Sequence, residues 1–552
     1  MDKLTPMFFS TLKGYTKGQF IKDVIAGIVV AIIALPLSIA LAIASGVTPQ
    51  EGLYTAIIAG FLISFLGGSH VQIAGPTAAF ATIVAGIVAT NGMEGLILAT
   101  LLAGVFLILM GIFRFGSLIK FIPYTITTGF TAGIAVTILV GQFKDFFGVT
   151  YAEGVTPIET VEKLEAFFES ISTINPWAIL IGGISLLILI VWPKISKLIP
   201  GSLIAVVVGA AMVKLLNLEV NTIGSLYTVS SKLPVPSLPS FSFDTVKAVL
   251  PDALTIAVLA AIESLLSCVV ADGMTGTKHR SNTELIAQGV GNMGSALFGG
   301  IPATGAIART AANIKSGGRT PVAGMVHAVV LLLVLVLFMP YASLIPMPTI
   351  AAILFSVAYN MCQWRPFLRI CKTAPKSDIF VLVLTFVLTV VFDLVVAIVV
   401  GLVLACVLFM KRMSDETAVK NRALSEDEIA KDVLTKEVPS GVLVYEIDGP
   451  LFFGSADRIA MITAESFTKC LILRMRGVTA VDATAMNAID ALYTRCADNG
   501  VKVVFSHVNE QPMRTFTKAG FVDTVGKENF CKHIDDALTL ASKYAKESKS
   551  EE

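Results

Sequence analysis

Two charged residues lie inside apolar stretches of the sequence. A charge in such a stretch is costly, and it usually has a functional role. Arg309 shares the stretch 285–318 with one other charge, Lys315. Glu263 lies mid-way along the apolar segment 253–272, and Ser267 follows it by one helical turn. A charge at the centre of a bilayer costs about 2.5–3.5 kcal/mol on insertion scales and marks a functional site. Arg309 is suited to an anion, and Glu263 with Ser267 to a coupling ion such as a proton.

Both charges also have structural interpretations. Arg309 could reach the cytoplasmic interface with its stem in the apolar phase, and Glu263 could form an ion pair with Arg309. A carboxyl group in a low-dielectric interior favours its protonated form, which would let Glu263 exchange a proton near neutral pH. We therefore expect Glu263 to take part in coupling or substrate contact.

Two related stretches break the apolar segments before these charges. Gly75-Pro76-Thr77-Ala78-Ala79 and Ile301-Pro302-Ala303-Thr304-Gly305-Ala306 occur at matching positions of the two halves of the chain. Gly/Pro-interrupted segments at corresponding positions point to a transporter's binding site. Helical side chains lean toward the N-terminus, so Arg309 would point back toward the Pro302 break. An Arg beside a helix N-terminus favours an anionic substrate.

Other classes of function lack their sequence signals. The chain has no phosphate-binding GxxxxGK[ST] loop, no dinucleotide fingerprint and no metal motif. Its seven cysteines show neither CxxC nor Cys/His spacing, and its net charge of +1 comes without a basic tract. The sequence therefore predicts no enzyme, no cofactor, no bound metal and no nucleic-acid partner.

Composition indicates a membrane part followed by a polar part. The 552 residues are 55% hydrophobic and 15% charged, and about half of the charges follow position 410. Uncharged runs long enough to cross a bilayer recur before that point, and the run 379–410 fits two short helices that meet near Asp393. We predict fourteen hydrophobic segments as two inverted repeats of seven, in a polytopic α-helical membrane protein.

The distribution of basic residues predicts cytoplasmic termini. The first apolar stretch, from Val24, has no small-residue cleavage site and is a retained span. The even-numbered loops would carry Arg114, Lys120, Lys197 and Arg319, whereas the loop 150–175 holds five glutamates and one lysine. Positive charge favours the cytoplasmic side, so a multi-pass protein of a bacterial inner membrane is expected.

The polar part predicts a small α/β module. Strand-like runs at 442–447, 471–475 and 501–505 alternate with amphipathic stretches at 485–497 and 511–519. The predicted domains are an N-terminal segment 1–20, a transmembrane domain 21–413, a charged linker 414–437, the module 438–545 and a tail 546–552.

Several motifs in order resemble the SulP family of anion transporters. In the first half these are Pro36, Leu41-Ala42, Gly46-Val47, Pro49, Gly52-Leu53-Tyr54, Gly68-Ser69 and Gly75-Pro76. In the second half they are Glu263-Ser264-Leu265-Leu266, Asp272 to Gly276, Asn282, Glu284-Leu285, Gln288-Gly289 and Phe298-Gly299-Gly300. The tail, with Gly449 to Phe453 and Val481 to Thr484, is similar to a STAS domain.

The resemblance implies core and gate domains, a homodimer in the lipid bilayer, and an anion held between the half-helices of segments three and ten. Backbone N–H groups and one cation would bind the anion, at Thr77, Ala78, Ala79, Phe80, Thr304, Gly305, Ala306 and Arg309. The family's bicarbonate branch looks sodium-coupled and has an Asp where this chain has Glu263, which favours protons here.

The stretches Glu263-Ser264-Leu265-Leu266 and Thr275-Gly276-Thr277-Lys278-His279 resemble most the family's proton-coupled succinate and fumarate transporters. Sulfate transport, sodium-coupled bicarbonate transport, an uncoupled channel and a membrane-anchored sensor remain the alternatives. Related phosphorylatable STAS domains have Asp-Ser where this chain has Asp482-Ala483, so we expect the module to serve assembly or a cytoplasmic partner.

Overall fold

The computed structural model describes residues 4–117, 123–155, 157–196, 199–239, 242–392, 394–421, 438–463 and 468–550. The chain divides into two compact units, residues 1–402 and 403–552. Predictions that concern Lys120, Lys197, Asp393 and residues 422–437 of the linker lie outside the described residues. The domain boundaries and the count of fourteen segments stay predictions.

The first unit is built from helices and one small sheet. The helices before the polar module are α1 Met7–Thr11, α2 Lys17–Ala44, α3 Pro49–Leu66, α4 Ala81–Ile112, α5 Tyr124–Gly141, α6 Phe143–Phe147, α7 Thr160–Glu169, α8 Pro176–Ile195, α9 Gly201–Leu216, α10 Ile223–Leu226, α11 Phe243–Thr275, α12 Ser281–Leu297, α13 Ile307–Lys315, α14 Val322–Ala342, α15 Met347–Cys362, α16 Trp364–Thr373, α17 Lys376–Val391 and α18 Leu394–Glu416. The sheet pairs β1 Ala74–Gly75 with β2 Thr304–Gly305. Within the described ranges, eight helical stretches are long and apolar enough to cross a membrane.

These helices pack in two groups. One group contains α2, α3, α4, α11, α12, α13 and α14, and the other contains α5, α6, α8, α9, α15 and α17. Glycines let α4 and α12 approach closely, because a Cβ at Gly104 would lie 2.7 Å from the Gly289 oxygen. The first group surrounds β1 and β2, so it holds the residues expected to bind substrate.

Two short helices lie outside the long apolar segments, and the first of them occupies the stretch 150–175 that was predicted to be a loop. α7 lies in the acidic loop, where the side chains of Glu159 and Glu162 form a capping box that starts the helix. The hydrogen bonds that Glu162 accepts from the backbone of Ile158 and Glu159 lower the pKa of its carboxyl group. α16 carries basic residues on one side of a short amphipathic helix, a pattern typical of a membrane interface. Both stretches are too short and too charged to cross a bilayer.

The second unit contains a five-stranded sheet in the order β3 to β7. Its strands are β3 Ala418–Asn421, β4 Val442–Asp448, β5 Cys470–Gly477, β6 Lys502–Ser506 and β7 Phe530–Cys531, of which β4 to β7 are parallel. Its helices are α19 Ala456–Ala460, α20 Ala483–Asp498, α21 Glu510–Lys518, α22 Phe521–Val525 and α23 Ile534–Ser550. Apolar residues cover both sheet faces, with α23 packed on one of them. The predicted α/β module is confirmed, with element ends displaced by at most two residues.

Candidate functional site

The two Gly/Pro stretches cross at the small sheet of the first unit. β1 and β2 run antiparallel, with Ala74 opposite Gly305 and Gly75 opposite Thr304. A 3-10 turn at Ala78–Phe80 leads from β1 into α4, and α13 begins directly after Ala306. The Ala306 N–H donates to the Ile73 oxygen at 2.8 Å, which extends the pairing beyond the sheet. The repeat found in the sequence therefore brings two helix starts to one point.

Arg309 lies at this crossing and not at an interface. Its side chain is only 3% exposed, and Nη2 donates to the Pro76 oxygen at 3.2 Å. Its Nη1 is buried and has no hydrogen-bond partner among the described residues. A Cβ added at Gly75 would lie 2.5 Å from Nη1, so glycine is what admits the guanidinium. The predicted direction toward a Gly/Pro break is found, but the break it reaches is the one at Pro76.

Glu263 faces the other side of the same crossing. The hydroxyl of Thr77 donates to its Oε2 at 3.0 Å, and both side chains are partly exposed. Where the chain is described, Glu263 and Arg309 form no ion pair with each other. The alternative of a structural Glu263–Arg309 pair is therefore not what the structure shows, and the carboxyl group is left open on one side.

Ser267 takes a different position from the one expected. Its hydroxyl is buried and donates to Thr310 Oγ1 at 3.3 Å, and Thr310 Oγ1 also accepts from the Ile73 N–H at 3.0 Å. Glu263 thus contacts the start of the first half-helix, whereas Ser267 contacts the second. Glu263 and Ser267 lie one helical turn apart on α11 but contact different half-helices, because two different elements pack against this face of α11.

Two of the predicted anion-binding N–H groups already have partners. Phe80 donates to the Thr77 oxygen, and Ala306 donates to Ile73. The first N–H groups of a helix have no intrahelical acceptor, so Ala78 and Ala79 remain candidates in the first half-site. In the second half-site the corresponding candidates are the N–H groups of Ile307 and Ala308, two exposed residues at the start of α13.

The remaining predicted residues, Thr304 and Gly305, contribute to the site through the position of their backbone. Thr304 is fully buried and its hydroxyl donates to the Ala260 oxygen at 3.0 Å, which ties β2 to α11. Gly305 packs directly against the amide of Gln72. Neither residue presents a side-chain donor to a ligand, so their contribution is backbone placement.

A polar stripe on α12, which the sequence analysis gave no role, supports both half-sites. Glu284, Gln288, Asn292 and Ser295 recur at helical spacing and are all fully buried. Asn292 accepts from the Ala303 N–H and donates to the Ala303 oxygen, each at 2.8 Å, and Ser295 donates to the Ile301 oxygen at 2.8 Å. The signal available in the sequence was four polar residues on one face of an otherwise apolar segment.

A separate cavity lies away from this crossing. It has a volume of about 350 Å³ and is lined by residues of α6, α8, α10 and α15, including Lys144, Asp145 and Glu219. None of the predicted site residues lines it. The case for the crossing therefore rests on its polar atoms and helix starts.

Comparison with known proteins places this arrangement in a family. Residues 20–385 match the sulfate permease family, and residues 434–537 match the STAS domain. The chain belongs to the sulfate permease family. The first match includes every residue of the candidate site, from Thr77 to Arg309.

Its relatives in this family carry the names of transporters. The chain is 42% identical to "Putative sulfate transporter YvdB" of Bacillus subtilis (strain 168), across 96% of this chain and 99% of that protein. It is 33% identical to "Bicarbonate transporter BicA" of Picosynechococcus sp., across 94% of each. The murine Solute Carrier 26 family member A9 anion transporter shares the fold, with a TM-score of 0.86 at 19% identity over 98% of this chain and 94% of that one.

These similarities establish an anion transporter of the sulfate permease family with a multi-pass membrane part and a C-terminal STAS domain. The family members compared are named as transporters for sulfate and for bicarbonate, which are both small oxyanions. Arg309 and the paired helix starts are the features of the crossing that suit such a ligand.

Proposed function

We propose that this protein is a secondary active transporter that takes up small dicarboxylates, succinate and fumarate first, together with protons. The anion binds at the crossing of β1 and β2, between the starts of α4 and α13. The proposal extends the family's shared property, anion transport, to a substrate and a coupling ion.

The observation that supports an anion site is the lack of a hydrogen-bond acceptor for Arg309 Nη1 among the described residues. This atom is buried and unpaired among the described residues, although its neighbour Nη2 is held by Pro76. Leaving a buried donor unsatisfied costs about 1–3 kcal/mol, and more for a charged group. An anion at the crossing would supply the missing acceptor and offset that cost.

Charge supports a divalent substrate. Each helix N-terminus contributes about half an elementary positive charge, so the two helix starts balance about one negative charge. Arg309 supplies one more, and the total matches the two carboxylates of succinate. Sulfate has the same charge, and the name of the Bacillus relative favours it as the second candidate.

Glu263 supports proton coupling. Its carboxyl group is partly exposed, accepts one hydrogen bond from Thr77 and lies beside the anion site. A single carboxyl group can bind and release a proton, whereas a sodium site needs several oxygen ligands in a fixed arrangement. Sodium-coupled bicarbonate transport and an uncoupled channel are the alternatives, and the name of the BicA relative favours bicarbonate as the substrate without naming a coupling ion.

We further propose a homodimer in a bacterial inner membrane with both termini in the cytoplasm. The STAS domain would then face the cytoplasm, available to dimer assembly or a cytoplasmic partner. Its cysteines, Cys470, Cys496 and Cys531, are free thiols, which suits a reducing compartment.

The test is uptake of labelled succinate, sulfate and bicarbonate into proteoliposomes, each with an imposed proton or sodium gradient. We expect succinate to accumulate above equilibrium when the outside is acidic, with no stimulation by sodium. Accumulation of sulfate or bicarbonate without accumulation of succinate would identify that anion as the substrate instead. Flux without accumulation under any gradient would indicate a channel. Vesicles that contain Arg309→Ala protein serve as the control.

A further inference from the structure

Glu284 is a fully buried carboxylate whose acceptor positions are all in use. Its Oε2 accepts from the backbone N–H of Gly68 at 2.9 Å and of Ser69 at 3.2 Å. Its Oε1 accepts from the side-chain amides of Gln72 and Gln288, each at 2.9 Å. An ionised carboxylate has about four acceptor sites and no donor. Four donors therefore converge on a group that can satisfy all of them, and a neutral amide could not.

Gln72 connects this carboxylate to the anion site. It lies two residues before β1, and its Oε1 accepts from the thiol of Cys268 on α11. The amide also packs directly against Gly305 of β2, where a Cβ would overlap it. One side chain thus touches α11, α12 and the second strand of the crossing, and Glu284 fixes which end of its amide faces each of them.

We infer that Glu284 is a positioning residue for the anion site, acting through Gln72 on the β1–β2 crossing without contacting the anion. The anion-binding part of this inference rests on the proposed function. The physical consequence is that the placement of Pro76, which holds Arg309 through its oxygen, depends on a carboxylate on a neighbouring helix.

An amide at position 284 would disturb Gln72 selectively. The side chain of Glu284→Gln can keep its oxygen toward Gly68 and Ser69, which turns its NH₂ toward Gln72 and Gln288. Gln288 can turn its amide cheaply because its Oε1 has no partner among the described residues. Gln72 cannot, since turning its amide would face an NH₂ to the Cys268 thiol and lose that hydrogen bond.

The same reasoning predicts a reciprocal rescue. A second change, Gln72→Glu, would place a carboxylate where it accepts from the new amide at 284 and from the Cys268 thiol. The double variant then restores every donor–acceptor pair around residue 72. A residue with only a general stabilising role would not be rescued by exchanging the two side chains.

The experiment compares Glu284→Gln, the double variant Glu284→Gln/Gln72→Glu and the matched control Asn282→Ala in the full-length protein. Asn282 is a buried α12 residue that accepts from the Gly116 N–H at 3.0 Å, away from β1. Hydrogen exchange by mass spectrometry would follow the backbone N–H groups within residues 73–77, of which Pro76 has none, and calorimetry would measure succinate and sulfate binding. The exchange readout needs no ligand.

We expect Glu284→Gln to raise the exchange rate of residues 73–77 and the anion Kd by about tenfold each, the effect of one lost hydrogen bond to a charged group. The double variant should recover most of both. Asn282→Ala should lower the melting temperature and leave both quantities unchanged.

Unchanged exchange at 73–77 in Glu284→Gln would overturn the inference, as would equal effects of Asn282→Ala or a failure of the rescue. If Glu284→Gln does not fold, Gln72→Met replaces it, and the same rise in exchange and Kd is required. If the wild type binds none of the anions, the proposed function fails, while exchange at 73–77 still decides the role of Glu284.

Discussion

The two half-sites share a backbone plan but differ in chemistry. Each consists of a two-residue strand followed by a helix start, and the strands pair with each other. The first half-site has no charged residue between positions 71 and 93, and its helix opens with a 3-10 turn. The second carries Arg309 and starts as a regular helix. Symmetry of the backbone therefore supplies two helix dipoles, and asymmetry of the side chains supplies one cation.

Their supports differ as well. The segment before β1 is held by the carboxylate of Glu284, whereas the segment before β2 is held by neutral groups, the amide of Asn292 and the hydroxyl of Ser295. Arg309 belongs to the second half-site but donates to Pro76 of the first. A substitution that disrupts one half-site should therefore also affect the other through Arg309. The following predictions test how far the two half-sites act independently.

The largest effect on anion binding is expected from Arg309→Ala. Loss of its charge-assisted hydrogen bond should weaken binding of succinate or sulfate by about 1–3 kcal/mol more than binding of formate. Arg309→Lys should restore part of the loss, because lysine keeps the charge but lacks the planar fork. Competition binding on purified protein measures this, with Lys315→Ala, an exposed residue of the same helix, as the control. Equal weakening of monovalent and divalent anions would contradict the charge argument.

Glu263→Gln tests the half-site that lacks a cation. The amide can still accept from Thr77 but cannot release a proton, so proton-driven accumulation should be abolished while anion exchange continues. Uptake in proteoliposomes at an imposed pH gradient measures proton-driven accumulation, and counterflow measures anion exchange. Thr77→Val, which removes only the hydrogen bond, should lower the rate and preserve coupling. Full accumulation by Glu263→Gln would exclude it as the proton carrier.

Asn292→Leu tests the neutral support. It removes both hydrogen bonds to Ala303 and leaves a buried N–H and a buried oxygen unpaired, so the melting temperature should fall by the equivalent of about 2–4 kcal/mol. Asn360→Ala is the control, since that residue is exposed and its amide donates to the Ser356 oxygen at the helix surface. A loss of the same size in both variants would show that the Ala303 bonds are not what matters.

The smaller of the two effects on stability is expected at Gly92, where α4 breaks between its half-helix and the following span. Its φ of 66° and ψ of −171° belong to a region that only glycine adopts readily, so Gly92→Ala should cost about 1–3 kcal/mol. Gly86→Ala lies in the half-helix with open space around its Cβ position and should stabilise by about 0.5–1 kcal/mol. Thermal unfolding in detergent compares them, and effects of the same sign would refute the assignment of the break.

Sequence patterns were informative where the signal is local. Arg309 and Glu263 stood out because a charge in an apolar run is rare, and the Gly/Pro stretches because each breaks a span. The strands of the STAS domain followed from alternation with short helices. The charged residues and the Gly/Pro stretches are each recognisable within about ten residues of chain.

What could not be predicted depends on contacts between distant segments. The partner of Ser267 is Thr310, and Gln72 meets Glu284 from more than two hundred positions away. The resemblance singled out Glu284 and Gln288, but residue types alone did not reveal that they support the segment before β1. Helix α7 was missed because its acidic composition outweighed a capping signal that was present in the sequence.

The two-residue ladder between β1 and β2 limits how the starts of α4 and α13 can move relative to each other. Gly75 with Thr304, Ile73 with Ala306 and Pro76 with Arg309 join the half-helices at three successive levels. Drawing the half-helices apart would break all three at once, which removes that separation as a degree of freedom. The two half-helices should therefore move as one part, and an anion bound between them as proposed would leave past the helices that border the crossing.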